Sequence, residues 1–205
     1  MRRFAFLVLA VIVAQPAAAK QVTPLTPLTF DATQGVRVTG MDLVFAEAFR
    51  REQGESDAKA AHKRAATGLA PLDVNSYPVG PTAQEHYPTL PFKQMFPLVM
   101  RDVTKEWGLA QGRAVKLRIT LDTLKTADAA VAILVGSYDQ LAGMVEIFDA
   151  GSGQPMGSFR INFINAHAGW GSMLIRGGGV REKLAEEFGL ELSRQISGRK
   201  KKPKT

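Results

Sequence analysis

Hydrophobic and polar positions alternate most regularly between Asp139 and Asn165. Leu141, Gly143, Val145 and Ile147 fall on one side of an extended chain, and Gln140, Ala142, Met144, Glu146 and Phe148 on the other. Gly157, Phe159, Ile161 and Phe163 repeat the pattern against Ser158, Arg160 and Asn162. A period of two predicts strands with one buried face and one wetter face. The intervening Asp149-Ala150-Gly151-Ser152-Gly153-Gln154 tolerates positive φ, so the two strands are predicted to form an antiparallel hairpin. Val115, Leu117, Ile119 and Leu121, set against Lys116, Arg118, Thr120 and Asp122, predict another strand over Ala114–Lys125. A first strand is predicted over Gly35–Phe45. Val36 and Val38 share a face there, while Met41, Leu43 and Phe45 share one in the opposite phase. Gly40 stands at the change of phase, as at a β-bulge.

The period changes to that of a helix in two places. Phe92, Met95, Phe96, Val99, Met100, Val103 and Trp107 form one apolar stripe. The helix is expected to open at Thr89 or Leu90, with Pro91 in its first turn. Pro97 should kink it or mark its true start, and Gly108 and Gly112 should end it. Val180, Leu184, Phe188, Leu192 and Ile196 predict a last helix, with charged residues opposite. The run Ala129–Val135 is apolar but too short for its period to classify. Antiparallel strands and two amphipathic helices predict an α+β fold: a two-layer domain with a mixed four-stranded sheet and both helices on one face. The strands at 36–45 and 115–125 are joined through a helix, which suits parallel pairing by a right-handed crossover.

Two segments fit this pattern poorly. Gln21–Thr33 is rich in Thr and Pro and reads as an extended, polyproline-like lead-in. Residues 50–88 read as an insertion in a single domain spanning 20–198. Glu52–Ala66 is compatible with a helix but has almost no apolar stripe, so it is expected to be loosely attached. An irregular loop carrying Pro71, Pro78, Pro81 and Pro88 follows it.

The ends change the picture of charge. Met1-Arg2-Arg3, the apolar run Phe4–Ala14 and Ala17-Ala18-Ala19 have the order of a secretory signal peptide, with cleavage after Ala19. A membrane anchor is the other reading, but spanning needs about 20 apolar residues, and Pro16 interrupts this run. The chain of 205 residues has a net charge of +7, from 26 basic and 19 acidic residues. Setting aside Arg2, Arg3 and the five basic residues of the 199–205 tail leaves 19 basic against 19 acidic ones, so the body is neutral. Such a like-charged tail repels itself and is expected to be disordered. It is either a solubilising end or a contact for an anionic envelope surface. The absence of cysteine excludes disulfides, thiolate ligands and a lipid-modified leader.

The pattern G-x-x-V-x-L-x-I-x-L from Gly112, followed by L-x-G-x-V-E-I-x-D-x-x-S-G-x-x-x-G-x-F from Leu141, resembles uncharacterised bacterial envelope proteins. Their α/β domain is similar to the N-terminal domain of the periplasmic Tol-system propeller protein and to the curli-secretion lipoprotein. The resemblance covers Gly112–Ile161 and includes no catalytic residue. It implies a periplasmic, non-enzymatic envelope component. Unlike the lipoproteins among them, this chain lacks the acylated cysteine.

Candidate chemistry is sparse. His62, His86 and His167 have no metal-ligand spacing, and neither a metal nor a cofactor is expected. His167 and Trp170 lie in the glycine-laden connection Asn165–Gly179, where a loop role competes with a catalytic one; no G-x-S-x-G elbow is present. Arg176, Gly177, Gly178, Gly179 and Arg181 enter the last helix. Helix-start N–H groups attract anions, so these residues form either an anion site or a hinge. Asp42, Glu146 and Asp149 are strand carboxylates that would serve glycoside hydrolysis if they converged, although the turn already accounts for Asp149. Nucleic acid is not expected as a partner, because export and the lack of a basic, aromatic sheet face oppose it. The sequence reading is therefore an exported periplasmic accessory or assembly protein that binds an envelope protein or an anionic envelope surface, its oligomeric state open. The alternative is a periplasmic enzyme with its site in the Asn165–Gly179 loop.

Overall fold

The computed structural model describes residues 19–32, 35–68, 87–107, 109, 112–127, 137–167 and 179–199. The elements run β1 (Ala19–Thr26), β2 (Val36–Phe45), α1 (Glu47–Ala66), a 3-10 turn (Tyr87–Thr89), α2 (Phe92–Glu106), β3 (Arg113–Lys125), β4 (Ser137–Asp149), β5 (Pro155–His167) and α3 (Val180–Ser197). The strands form one five-stranded sheet in the order β1-β5-β4-β3-β2. β2 pairs with β3 in parallel, and every other neighbouring pair is antiparallel. The fold is α+β with a mixed sheet, as the alternation predicts. Among the described residues no helix is long and apolar enough to cross a membrane.

The sheet has five strands, where the sequence pattern predicts four. The extra one is β1, read from sequence as an unpaired lead-in. It lies antiparallel to β5, with Val22 opposite Ile161 and Lys20 opposite Phe163. Only Val22 among its residues is even partly buried, so its alternation carries almost no hydrophobic signal. Pro24 is tolerated because an edge strand can leave one side of its backbone unpaired. Lys20 Nζ forms an ion pair with Glu187 of α3 and lies 5.5 Å from the Phe163 ring centroid.

The inward rows are those that the period of two assigns. Val115, Leu117, Ile119 and Leu121 of β3, Leu141, Val145 and Ile147 of β4, and Phe159, Ile161 and Phe163 of β5 are buried in one core. Leu184, Phe188, Leu192 and Ile196 of α3 and Phe92, Met95, Phe96 and Met100 of α2 complete it. The β2–β3 register shifts between Val38 and Gly40, which places the bulge at the predicted change of phase. A second shift, between Leu121 and Thr123, leaves Asp122 without a partner on β4. Helices α2 and α3 approach closely at Gly189, where an added Cβ would stand 3.1 Å from Met100 Sδ.

Two helix boundaries differ from the sequence pattern. α2 begins at Phe92, after Pro91, because a residue before proline is driven out of the helical region. Pro97 lies inside the continuous helix. α1 starts at Glu47, earlier than expected, and it is anchored. Phe49 is fully buried, stacks on Phe45 with centroids 5.0 Å apart and meets Phe92 edge-on at 5.3 Å. The aromatic contacts continue from Phe92 to Phe96 at 5.6 Å and from Phe96 to Phe188 at 5.7 Å. One chain of rings thus joins the end of β2 to all three helices.

Candidate functional site

The helices cover one face of the sheet. The other face is bare among the described residues and carries the polar half of each alternating strand. Its central cross-strand row is Asp42 on β2, Arg118 on β3, Glu146 on β4 and Ser158 on β5. Arg118 Nε donates to Asp42 Oδ2 at 3.2 Å, and its guanidinium lies 5.4 Å from the Phe148 ring centroid. Arg118 therefore stands between Asp42 and Glu146 in the ladder and separates those two carboxylates.

One strand-pair further along, Arg160 on β5 reaches over β4 to the bulged Asp122 on β3. Arg160 Nη2 donates to Asp122 Oδ1 at 2.7 Å, and Nη1 donates to the other carboxylate oxygen. Burial pushes the Asp122 carboxyl up, but hydrogen bonds from Arg160 and Thr123 and the Arg160 charge outweigh it and hold the carboxyl low. Gln140 Nε2 donates to Asn162 Oδ1 at 2.8 Å on the same face. Val44 is 38% exposed on the outer strand. A shallow hollow of about 380 Å³ at the hairpin end is lined by Asp42, Lys116, Arg118, Phe148, Asp149 and Gly153.

The hairpin turn is self-contained. Asp149 Oδ1 accepts from the Gly151 N–H at 3.1 Å, the Ser152 N–H at 2.9 Å and the Ser152 hydroxyl at 3.1 Å. The backbone N–H of Ser152, the Arg113 side chain and the Ser152 hydroxyl lower the Asp149 carboxyl to about 2. Asp149 is thus a structural turn acid.

A separate open cleft of about 230 Å³ lies in the helical layer, between α1 and the start of α3. Ser56, Lys59 and Lys63 of α1 form one wall; Gly179, Arg181 and Glu182 form the other. Gly179 begins α3 at φ +95° with no side-chain cap. The Glu182 carboxylate folds back toward it, so a Cβ on Gly179 would collide with Glu182 Oε2. Arg181 is 8% exposed. It donates to Leu90 O at 2.9 Å, to Asp57 Oδ1 at 3.3 Å and to Glu182 Oε1 at 3.4 Å.

Of the residues singled out from sequence, Gly179 and Arg181 meet at this cleft. Arg176, Gly177, Gly178 and Trp170 lie outside the described residues, as do the leader through Ala18, the run Ala129–Val135 and the tail from Lys200. The backbone of His167 ends β5, opposite Ser137. Sequence reasoning missed Ser56, Lys59 and Lys63. Their i, i+3, i+7 spacing places them on one helical face, but no apolar stripe drew attention to it.

No family model matches the chain, and no curated protein is similar to it. Among solved structures, it is similar to the PelC dodecamer from Paraburkholderia phytofirmans at 14% identity, with 89% of this chain and 99% of that one covered and a TM-score of 0.34. It is also similar to a Xanthomonas campestris protein of the DUF330 family at 12% identity, with 85% and 94% covered and a TM-score of 0.42. At such identities and TM-scores the likeness says nothing of function, and the fold rests on the chain's own strand pairing.

Proposed function

We propose that this protein is an exported accessory or assembly factor of the bacterial envelope, and that it acts by binding another envelope protein in the periplasm through its bare sheet face. The observation that carries the reading is that face itself. Cations, carboxylates, Phe148 and Val44 alternate there across four strands, while both edge strands, β1 and β2, have a single ladder neighbour among the described residues. Exposed edges and a mixed aromatic and charged surface suit recognition of an extended or flat partner. The order of basic, apolar and small residues before Lys20 supports export. The resemblance of Gly112–Ile161 to envelope proteins supports the compartment. The basic tail adds an attraction to anionic envelope surfaces.

The test is capture of the partner from envelope extract by the full chain, repeated with Arg118→Glu and Phe148→Ser together. Capture should fall at least about tenfold, the equivalent of about 1.4 kcal/mol, with the thermal midpoint kept within a few degrees. Undiminished capture by a folded double variant would place the contact elsewhere.

A further inference from the structure

The two edges of the sheet are built differently. β1 is blunted by Pro24, which has no N–H to offer, and by a break in register beside it. β2 has no proline after its bulge. Ala46 N–H donates to Leu121 O of β3 at 2.9 Å, and backbone groups alternate in direction along a strand. The N–H and C=O groups of Met41, Leu43 and Phe45 therefore point away from β3, along the open edge. Ahead of the bulge, Val38 N–H is taken by Leu109 O at 3.3 Å. No such bond closes the three positions after it among the described residues. Met41, Leu43 and Phe45 pack on the core but are only partly buried, and Val44 between them is 38% exposed. A further strand laid along this edge satisfies the backbone and covers these side chains.

We infer that this strand is β2 of a second copy, and that the protein forms a two-fold dimer through its β2 edges. The edge is self-complementary. With Leu43 on the axis, Leu43 faces its own counterpart and Met41 faces Phe45 of the other copy. Each opposed pair then exchanges two hydrogen bonds in an antiparallel ladder. Glu47 falls opposite Val38, because the bulge spends Thr39 and Gly40 on one place, and the next residue is the cation Arg37. Arg37 and Glu47 are both exposed, and neither has an ion-pair partner among the described residues. Across the axis each meets the other, once at either end of the ladder. An axis at Asp42 would set that carboxylate against its own copy, and like charges opposed across a ladder repel. An axis at Val44 would leave Met41 opposite Glu47, where the strand has already passed into α1. α1 turns inward over β3 and leaves the edge clear. The contact leaves the bare face free and makes it one surface across both copies, five strands from each.

The test is sedimentation equilibrium of the full chain from micromolar to millimolar concentration, with amide hydrogen exchange read in parallel. A ladder this short buries less area than a tight dimer, so the mass should rise toward two chains within that range. The amides of Met41, Leu43 and Phe45 should exchange more slowly as concentration rises, and those of β1 should not change. Arg37→Glu alone, or Glu47→Lys alone, should weaken association by about tenfold, because attraction turns to repulsion at both ends of the ladder. Both side chains are exposed, so the thermal midpoint should stay within a few degrees. An equimolar mixture of the two single variants should associate as tightly as the unaltered chain, because both ends of the mixed pair then join opposite charges. A chain that stays single at millimolar concentration, an assembly that grows past two, or a mixture no tighter than its components would overturn the dimer. Arg118→Glu with Phe148→Ser should leave the dimer intact, so failure here is separable from failure of the sheet-face reading.

Discussion

Asp57 Oδ1 accepts the Phe92 backbone N–H at 2.7 Å, and the same oxygen lies 3.3 Å from Arg181 Nη1. One carboxylate on α1 thus satisfies an orphan donor at the start of α2 and neutralises a cation at the start of α3. This clasp and Phe49 dock a helix that has no apolar stripe. Asp57→Ala would leave the buried Arg181 without its Asp57 partner and uncap α2. It should lower unfolding stability by on the order of 3 kcal/mol in denaturant titration. A loss below half of that would show that the clasp is replaceable.

Phe49 is the second anchor of α1. Phe49→Ala removes a ring packed between Phe45 and Phe92 and should cost about 3–5 kcal/mol. Amides of α1 should then exchange faster than those of β3 and β4, since local opening follows the contacts that remain. Equal loss of protection in all elements would mean that α1 does not open by itself.

Ile161 probes the sheet core. It lies between Phe159 and Phe163 on the inward face of β5 and is buried. Ile161→Ala should cost about 2–5 kcal/mol. Because Val22 of β1 is its cross-strand neighbour, protection of β1 amides should fall first.

Gly189 tests the α2–α3 contact. Gly189→Val should cost about 1–3 kcal/mol through overpacking against Met100 and Val103. Gly189→Ala should be nearly neutral, because gained helix propensity offsets a small displacement of the flexible Met100 side chain.

The two carboxylates with lowered pKa give a sign for acid. Their folded values lie below the unfolded one, near 3.8 for Asp. Their contribution to stability is present above that value and is lost as pH falls through the folded value, about 2 for Asp149. Arg113→Ala should move the Asp149 titration upward in carboxylate NMR, and Arg160→Gln should do the same for Asp122. An unmoved Asp149 midpoint would show that the Ser152 and Gly151 groups set it without Arg113, and an unmoved Asp122 midpoint would overturn the part given to Arg160.

The sequence by itself determined which side of each central strand faces inward. The alternation from Val115 to Leu121 and from Phe159 to Phe163 is local, and burial of one face follows from a period of two whatever the partner strand. It also determined the bulge at Gly40, the acid of the turn and both amphipathic helices. Tertiary structure alone decided the rest. β1 joins the sheet because β5 offers an edge and Ile161 and Phe163 accept Val22 and Lys20, a pairing across more than a hundred residues that eight mostly exposed positions do not announce. α1 docks through one ring and one carboxylate, and a moment summed over twenty residues averages such point contacts away. The cleft exists only because α1 so docked brings Ser56, Lys59 and Lys63 to the start of α3. Local patterns report how much a residue avoids water, while the partners it meets are set by contacts distant in the chain.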